Sequence, residues 1–217
     1  MTSWAPKFSP YIILLLSACI CSWIRWPILK KADRWICLLL SLTVIEESLA
    51  EYFKIYFRNN SVIYHIYTPI ELFIICIYFD LSLKITKPYR LAFLIGIPGI
   101  IVSAFITIYI QPYYKFNSYF LLIEGLVIVS LCLLAFYKLL LREDIVPKMM
   151  AQFWLTISFL LYWSVTYISL GLFSGEVNNI DFVAKIIAWT LYIPNFLFYV
   201  SLMIVFIRYK KLIPSGE

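Results

Sequence analysis

The chain has 217 residues, of which 63% are hydrophobic, 19% aromatic and only 14% charged, with a mean hydropathy of +0.89. A soluble domain carries about 25% charged residues, so too few charges are present to coat a water-facing surface, and the same composition excludes intrinsic disorder. With 6 glycines and 10 prolines it is neither collagen-like nor linker-rich, and the net charge of +6 takes its meaning from where the charges fall.

A membrane-crossing helix needs about 20 mainly apolar residues, and seven such runs follow one another. The first, Pro10–Trp26, lacks a basic segment before it and a small-x-small cleavage pattern after it, so it reads as a retained span rather than a signal peptide. The second, Trp35–Phe57, contains Glu46, Glu47, Glu51 and Lys54. Glu47 and Glu51 share a face that Lys54 continues, whereas Glu46 is turned from Glu47 by about 100°. The third, Val62–Leu83, opens Tyr64-His65-Ile66-Tyr67-Thr68-Pro69-Ile70-Glu71, in which Tyr64, Tyr67, Thr68 and Glu71 form one polar stripe. Asp80, near its far end, reads as a cap or a partner of Lys84. The fourth, Tyr89–Ile110, is apolar through its centre. The fifth, Tyr119–Leu141, follows Asn117 and carries Glu124 about two turns in. The sixth, Met150–Leu172, has no ionisable residue in its centre, and the seventh, Phe182–Ile207, has Lys185 one turn in and Asn195 after Pro194.

Seven runs with short connections account for the chain, so the expected fold class is all-α: one seven-helix transmembrane domain over residues 1–217, with no separate soluble domain. The runs are continuous rather than alternating, which excludes a membrane β-barrel. Basic residues set the orientation. Arg25, Lys30, Lys31 and Arg34 lie between the first two runs, Lys84, Lys87 and Arg90 between the third and fourth, Lys138, Arg142 and Lys148 between the fifth and sixth, and Arg208, Lys210 and Lys211 after the seventh. These are 13 of the 18 Lys and Arg; only Lys7, Lys54, Arg58, Lys115 and Lys185 fall on the other side. The expectation is a multi-pass protein of the cell's inner membrane, N-terminus outside and C-terminus cytoplasmic. The net charge is this bias and does not point to nucleic acid. Anionic lipid headgroups, or a protein partner docking on the basic cytoplasmic loops, are the surfaces it suits. Trp23, Trp26, Trp35, Tyr89, Tyr113 and Tyr114 fall near predicted ends, as interfacial aromatic belts do. The 5 cysteines lie inside the runs without a Cys-x-x-Cys pair and read as soft apolar packing.

An ionisable group at a helix centre costs roughly 2.5–3.5 kcal/mol on insertion scales. Four runs nevertheless carry such groups, all toward the predicted outer side. The economical arrangement is a polar cavity among the second, third, fifth and seventh helices, lined by Glu47, Glu51, Tyr64, His65, Tyr67, Glu71, Tyr119, Glu124 and Lys185, with Tyr52, Trp163 and Trp189 as candidate walls. Carboxylates with an imidazole bind a cation, carry protons or hold an amine; clustered carboxylates repel, so some are expected to hold a proton. A divalent metal on His65, Glu71 and Glu124 is one form of such a site. The plainer alternative is interhelical hydrogen bonding and ion pairing, such as Glu51 with Lys54 or a glutamate with Lys185. His65 is the only histidine, which excludes His-Glu-x-x-His hydrolase chemistry. There is no Gly-x-Ser-x-Gly elbow, no Gly-rich phosphate loop and no paired-aspartate protease motif.

Asp181-Phe182-Val183-Ala184-Lys185 is similar to the Asp-x-x-Ala-Lys of the seventh helix of microbial rhodopsins, which implies retinal on the lysine. The departures argue against retinal. Here Lys185 opens its span rather than sitting mid-membrane, the segment Ser174–Asn179 before it is polar, and the third run lacks the Arg-Tyr-x-Asp-Trp type of motif. Thr68-Pro69-Ile70-Glu71 is similar to the Pro-x-Glu of membrane lycopene cyclases over too short a stretch to imply activity. Over most of its length the chain resembles small seven-span membrane proteins of Bacteroidota. The resemblance rests on Glu47 and Glu51, Tyr64-His65-Ile66-Tyr67 with Glu71, Asn117-Ser118-Tyr119 with Glu124, and Phe153-Trp154. It implies no activity, only that these polar residues belong together.

The leading expectation is a receptor-like binding or sensing protein that takes up a small ligand, ion or proton and signals through a partner. Alternatives are an ion- or proton-coupled transporter or channel, an intramembrane lipid-modifying enzyme using His65 and the glutamates, and an accessory or effector protein of a defence (CRISPR-type) operon acting as a homo-oligomer.

Overall fold

The computed structural model describes residues 9–83, 89–141, 150–173 and 180–212, with the side chains of Ser9 and of 170–191 outside the description. Among the described residues there are seven long helices and no strand. They are α1 (Ser9–Arg25), α2 (Lys31–Phe57), α3 (Ser61–Leu83), α4 (Ala92–Ile110), α5 (Ser118–Leu140), α6 (Ala151–Phe173) and α7 (Ile180–Arg208). Five stretches, Pro10–Ile28, Ser61–Leu83, Ala92–Ile110, Ser118–Leu140 and Tyr192–Leu212, are long and apolar enough to cross a membrane, which marks a multi-pass membrane protein. α2 falls outside this set because Asp33, Arg34, Glu46, Glu47, Glu51 and Lys54 interrupt its apolar run. Large apolar side chains also cover the outside of the helices, among them Ile24, Phe93, Ile101, Ile108, Leu140 and Leu161, as a lipid-facing surface requires.

The helix starts lie close to those read from apolarity, with one clear difference. α2 begins at Lys31 rather than Trp35, because the Arg34 N–H already donates to the Lys30 carbonyl at 3.1 Å. Asp33 sits in that first turn, where a negative charge favours the helix N-terminus. Charge marks a membrane boundary, but backbone hydrogen bonding marks a helix boundary, and the two need not coincide.

The chain divides into two compact units, one of residues 1–25 with 132–217 and the other Trp26–Leu131. In the first unit α7 packs against both α1 and α6. Its interior is aromatic: Tyr11 meets Tyr199 edge-on at 5.5 Å, and Phe198 lies against Phe159 at 5.3 Å and Tyr162 at 4.7 Å. Arg25 donates to the Ile207 carbonyl at 3.1 Å, satisfying an acceptor at the last turn of α7.

In the second unit α2 and α3 form a tight hairpin. Arg58 ends α2 in the left-handed region at φ 55°. Asn59 then starts α3, its side-chain oxygen accepting from the Ser61 N–H at 2.8 Å while its amide donates to the Tyr114 carbonyl at 2.9 Å. α4 is not a uniform α-helix: π-helical turns, Ala92–Gly96 and Ile106–Ile110, flank the α-helical segment Ile97–Phe105. Pro98 stands beside the first of these and has no N–H for the carbonyl one turn back. α4 lies very close to α3. A Cβ added at Gly96 would stand 2.7 Å from Phe73 Cδ2, and one at Gly99 2.8 Å from Leu72 Cδ2, so glycine is what permits the approach. At the other end of α3, Asp80 accepts from the Leu91 N–H at 3.1 Å and caps the chain entering α4.

Candidate functional site

The second unit gathers carboxylates from three helices. On α2 the buried face runs Ile36, Leu39, Leu40, Thr43, Glu46, Ala50, so the helical period that buries the apolar residues also carries Glu46 inward, to 5% exposure. Glu71 on α3 is half-buried, and Glu124 on α5 is wholly buried at 0% exposure. Glu46 is in electrostatic reach of Glu47 and Glu71, and Glu71 of Glu124. Neither carboxylate oxygen of Glu124, nor Oε1 of Glu46, has a hydrogen-bond partner among the described residues. The charge that acts on Glu124 is that of Glu71, a like charge. A carboxylate enclosed without donor or counter-ion is costly by several kcal/mol, and among the described residues nothing offsets that cost for Glu124.

Hydrogen bonds frame the group. Thr43 Oγ1 and the Tyr67 hydroxyl, 2.6 Å apart, tie α2 to α3. The Asn117 side-chain amide donates to Thr68 Oγ1 at 3.0 Å, and Thr68 in turn donates to the Tyr64 carbonyl at 2.9 Å. That fixes the Asn117 amide and leaves its buried Oδ1 without a partner. Two residues before Glu71, Pro69 has no N–H to offer the His65 carbonyl. Further along α3, Cys76 is in electrostatic reach of both Glu124 and Asp80. The pairings Thr68 with Asn117 and Cys76 with Glu124 advance together, so α3 and α5 run in the same direction here. Acidic groups therefore occur at successive levels of α3, from Glu71 past Glu124 to Asp80.

The residues expected from sequence take different places. Glu47 is half-buried beside Glu46. Glu51 is paired with Lys54 at 3.3 Å on an accessible face, with side-chain exposures of 35% and 52%. Tyr64 packs edge-on to Phe116 at 6.1 Å and feels the charges of Glu46, Glu47 and Glu51. Tyr67 holds Thr43, as above. Tyr119 is half-exposed, and its backbone N–H donates to Gln111 Oε1 at 3.3 Å. The side chains of Lys185 and Trp189 lie outside the described residues, as does Lys84, and α7 belongs to the other unit. The group seen in the second unit thus draws on α2, α3 and α5.

His65 is buried, and both its ring nitrogens are engaged. Nε2 lies 2.9 Å from the Lys115 carbonyl, which can only accept, so Nε2 carries a proton. Nδ1 lies 2.8 Å from Thr107 Oγ1, which also reaches the Ser103 carbonyl at 2.9 Å. The imidazole clasps α3 to the end of α4 and to the following turn. Among the described residues no group of three or more His, Cys, Asp and Glu side chains could hold a metal ion, and the combination of His65, Glu71 and Glu124 is not assembled as one.

The sequence reading left Glu46 aside because it followed the Glu47–Glu51 face. The spacing of Thr43, Glu46 and Ala50 with Ile36, Leu39 and Leu40 was the signal that identified the buried face. Comparison with protein-family models, with curated proteins and with solved structures finds no match to this chain.

Proposed function

We propose that the chain is a seven-span inner-membrane binding or sensing protein, N-terminus outside, whose Glu46–Glu71–Glu124 group takes up a proton or a small cation and signals through a partner. The observation that carries this reading is Glu124: wholly buried, with both oxygens unpartnered and another carboxylate as its electrostatic neighbour. Polar groups kept only as glue between helices are expected to be paired, and intramembrane carboxylates left unpaired mark ion or proton sites. The basic stretches around Lys30–Arg34 and Arg208–Lys211 are where the partner would dock on the cytoplasmic side.

The test is the melting temperature of the detergent-purified chain across pH and across added sodium, potassium and calcium. The wild type is expected to show a ligand-linked shift that Glu124→Gln abolishes. A wild type indifferent to all of these overturns the reading. For the orientation, a reporter fused after Glu217 is expected to be active only in the cytoplasm, and activity on the outer side overturns it. Transport is the second reading, favoured by the succession of acidic groups from Glu71 through Glu124 to Asp80 along α3. Its signature is proton or cation flux in proteoliposomes that Glu71→Gln abolishes.

A further inference from the structure

The ligand class of this site follows from how differently Glu71 and Glu124 are enclosed; the step rests on the binding reading above. Glu124 offers two oxygens, both buried and both unpartnered. The groups facing it from the neighbouring helix are Glu71 and Cys76, and Glu46 joins through Glu71, so the described titratable groups around it are acids and a thiol, with no base among them. A multivalent metal would need at least three suitably placed ligands, and no such group exists among the described residues. A proton needs only one carboxylate oxygen, and the hydrogen bond it then makes needs one acceptor. Glu71, the carboxylate whose charge acts on Glu124, can be that acceptor. Glu71 is also the less enclosed of the two, so of this pair it is the one closer to exchange with the surroundings.

We infer that Glu124 is an intramembrane proton-binding site and that Glu71 is the relay through which it exchanges protons with the surroundings. The step is a transfer between two carboxyl groups: the O–H bond of protonated Glu71 breaks as one forms on Glu124, and Glu71 is left as the carboxylate, to be protonated again from water. No oxidant or further reactant is involved. Asn117, its amide donated to Thr68 and its Oδ1 unpartnered, adds an acceptor in the same unit. Asp80, already accepting from the Leu91 N–H, stands beyond Cys76.

Infrared spectroscopy of the full chain in lipid vesicles tests this through the carbonyl-stretch band of a protonated carboxyl, with exchange from water into deuterium oxide. The wild type is expected to show the band near neutral pH. Glu124→Gln should remove its component of the band, leaving any part due to Glu46, which Glu46→Gln removes separately. Glu71→Gln should keep the Glu124 component while slowing its deuterium shift several-fold. Glu124→Asp should move the band without abolishing it, which keeps the assignment testable even where the glutamine variant does not fold. A band whose shape and intensity are unchanged by Glu124→Gln overturns the site, and a deuterium shift unchanged in Glu71→Gln overturns the relay. A wild type with no protonated band that is instead stabilised by sodium or potassium overturns the proton and leaves the binding reading standing. A wild type with neither band nor ligand-linked stabilisation removes both.

Discussion

In the unit built on α1, α6 and α7, the buried polar groups described are mostly hydroxyls that donate within their own helix. Thr156, Ser158 and Ser169 each donate to a carbonyl one turn back, at 2.8, 2.8 and 2.6 Å. A hydroxyl pair between helices, Ser158 with Ser201 at 2.8 Å, joins α6 to α7. In the unit Trp26–Leu131 the buried polar groups include full carboxylates, and several of their oxygens meet no donor. Hydroxyls of the first kind cost little to bury where the helix backbone supplies an acceptor; Thr166 Oγ1 and Trp163 Nε1 are the buried groups of this unit that meet no partner among the described residues. Carboxylates of the second kind have no such local remedy, because the helix backbone around them has no N–H to spare. The contrast separates buried polar groups that a helix backbone satisfies from buried carboxylates that it cannot satisfy.

That contrast can be broken experimentally, and the largest effect is expected at Glu124. Replacing it with leucine should abolish any ligand-linked shift in melting temperature. Because an unsatisfied buried polar group is removed without a partner being orphaned, the ligand-free protein should gain stability, by about 1–3 kcal/mol. Loss of stability on Glu124→Leu in a chemical-unfolding titration would place Glu124 with the structural polar groups instead. His65→Ala is expected to cost about 2 kcal/mol, since two hydrogen bonds go and the Lys115 carbonyl loses its donor. It should leave the ligand-linked shift intact, which separates the clasp from the site. Ser158→Ala should cost about 0.6 kcal/mol, the average for interhelical hydrogen bonds in a membrane bundle, again without touching ligand response. Lys54→Ala, which breaks the accessible pair with Glu51, should cost no more than about 0.5 kcal/mol, and that loss should shrink in high salt.

The candidate site was partly legible in the sequence. Glu71 and Glu124 stood out because a carboxylate inside an apolar run is conspicuous wherever the helix points. Glu51 stood out for the same reason, yet it lies beside Lys54 on an accessible face, the ion pair expected of neighbours three residues apart. His65 looked like a ligand, being the sole imidazole, and its engagement by Thr107 and Lys115 depended on how α4 and the turn after it come back to α3. Glu46 was overshadowed by its neighbour. The decision between them is a rotation of about 100° about the helix axis, and the apolar stripe settles that rotation only when it is followed through Thr43 and Ala50.

Composition determined that this is a membrane protein, the continuity of its apolar runs made it helical, and the length of those runs placed the helices to within a few residues. These are local consequences of a bilayer that accepts backbone only when its own hydrogen bonds are closed. What only the tertiary structure decided is which charged residues meet. Glu46, Glu71 and Glu124 come from three helices and lie up to 78 positions apart, and nothing in their local sequence states whether a donor waits opposite each one. That depends on which faces the helices press together. Between α3 and α5 the answer is an amide on Thr68 for one pair, and for Glu124 no donor among the described residues.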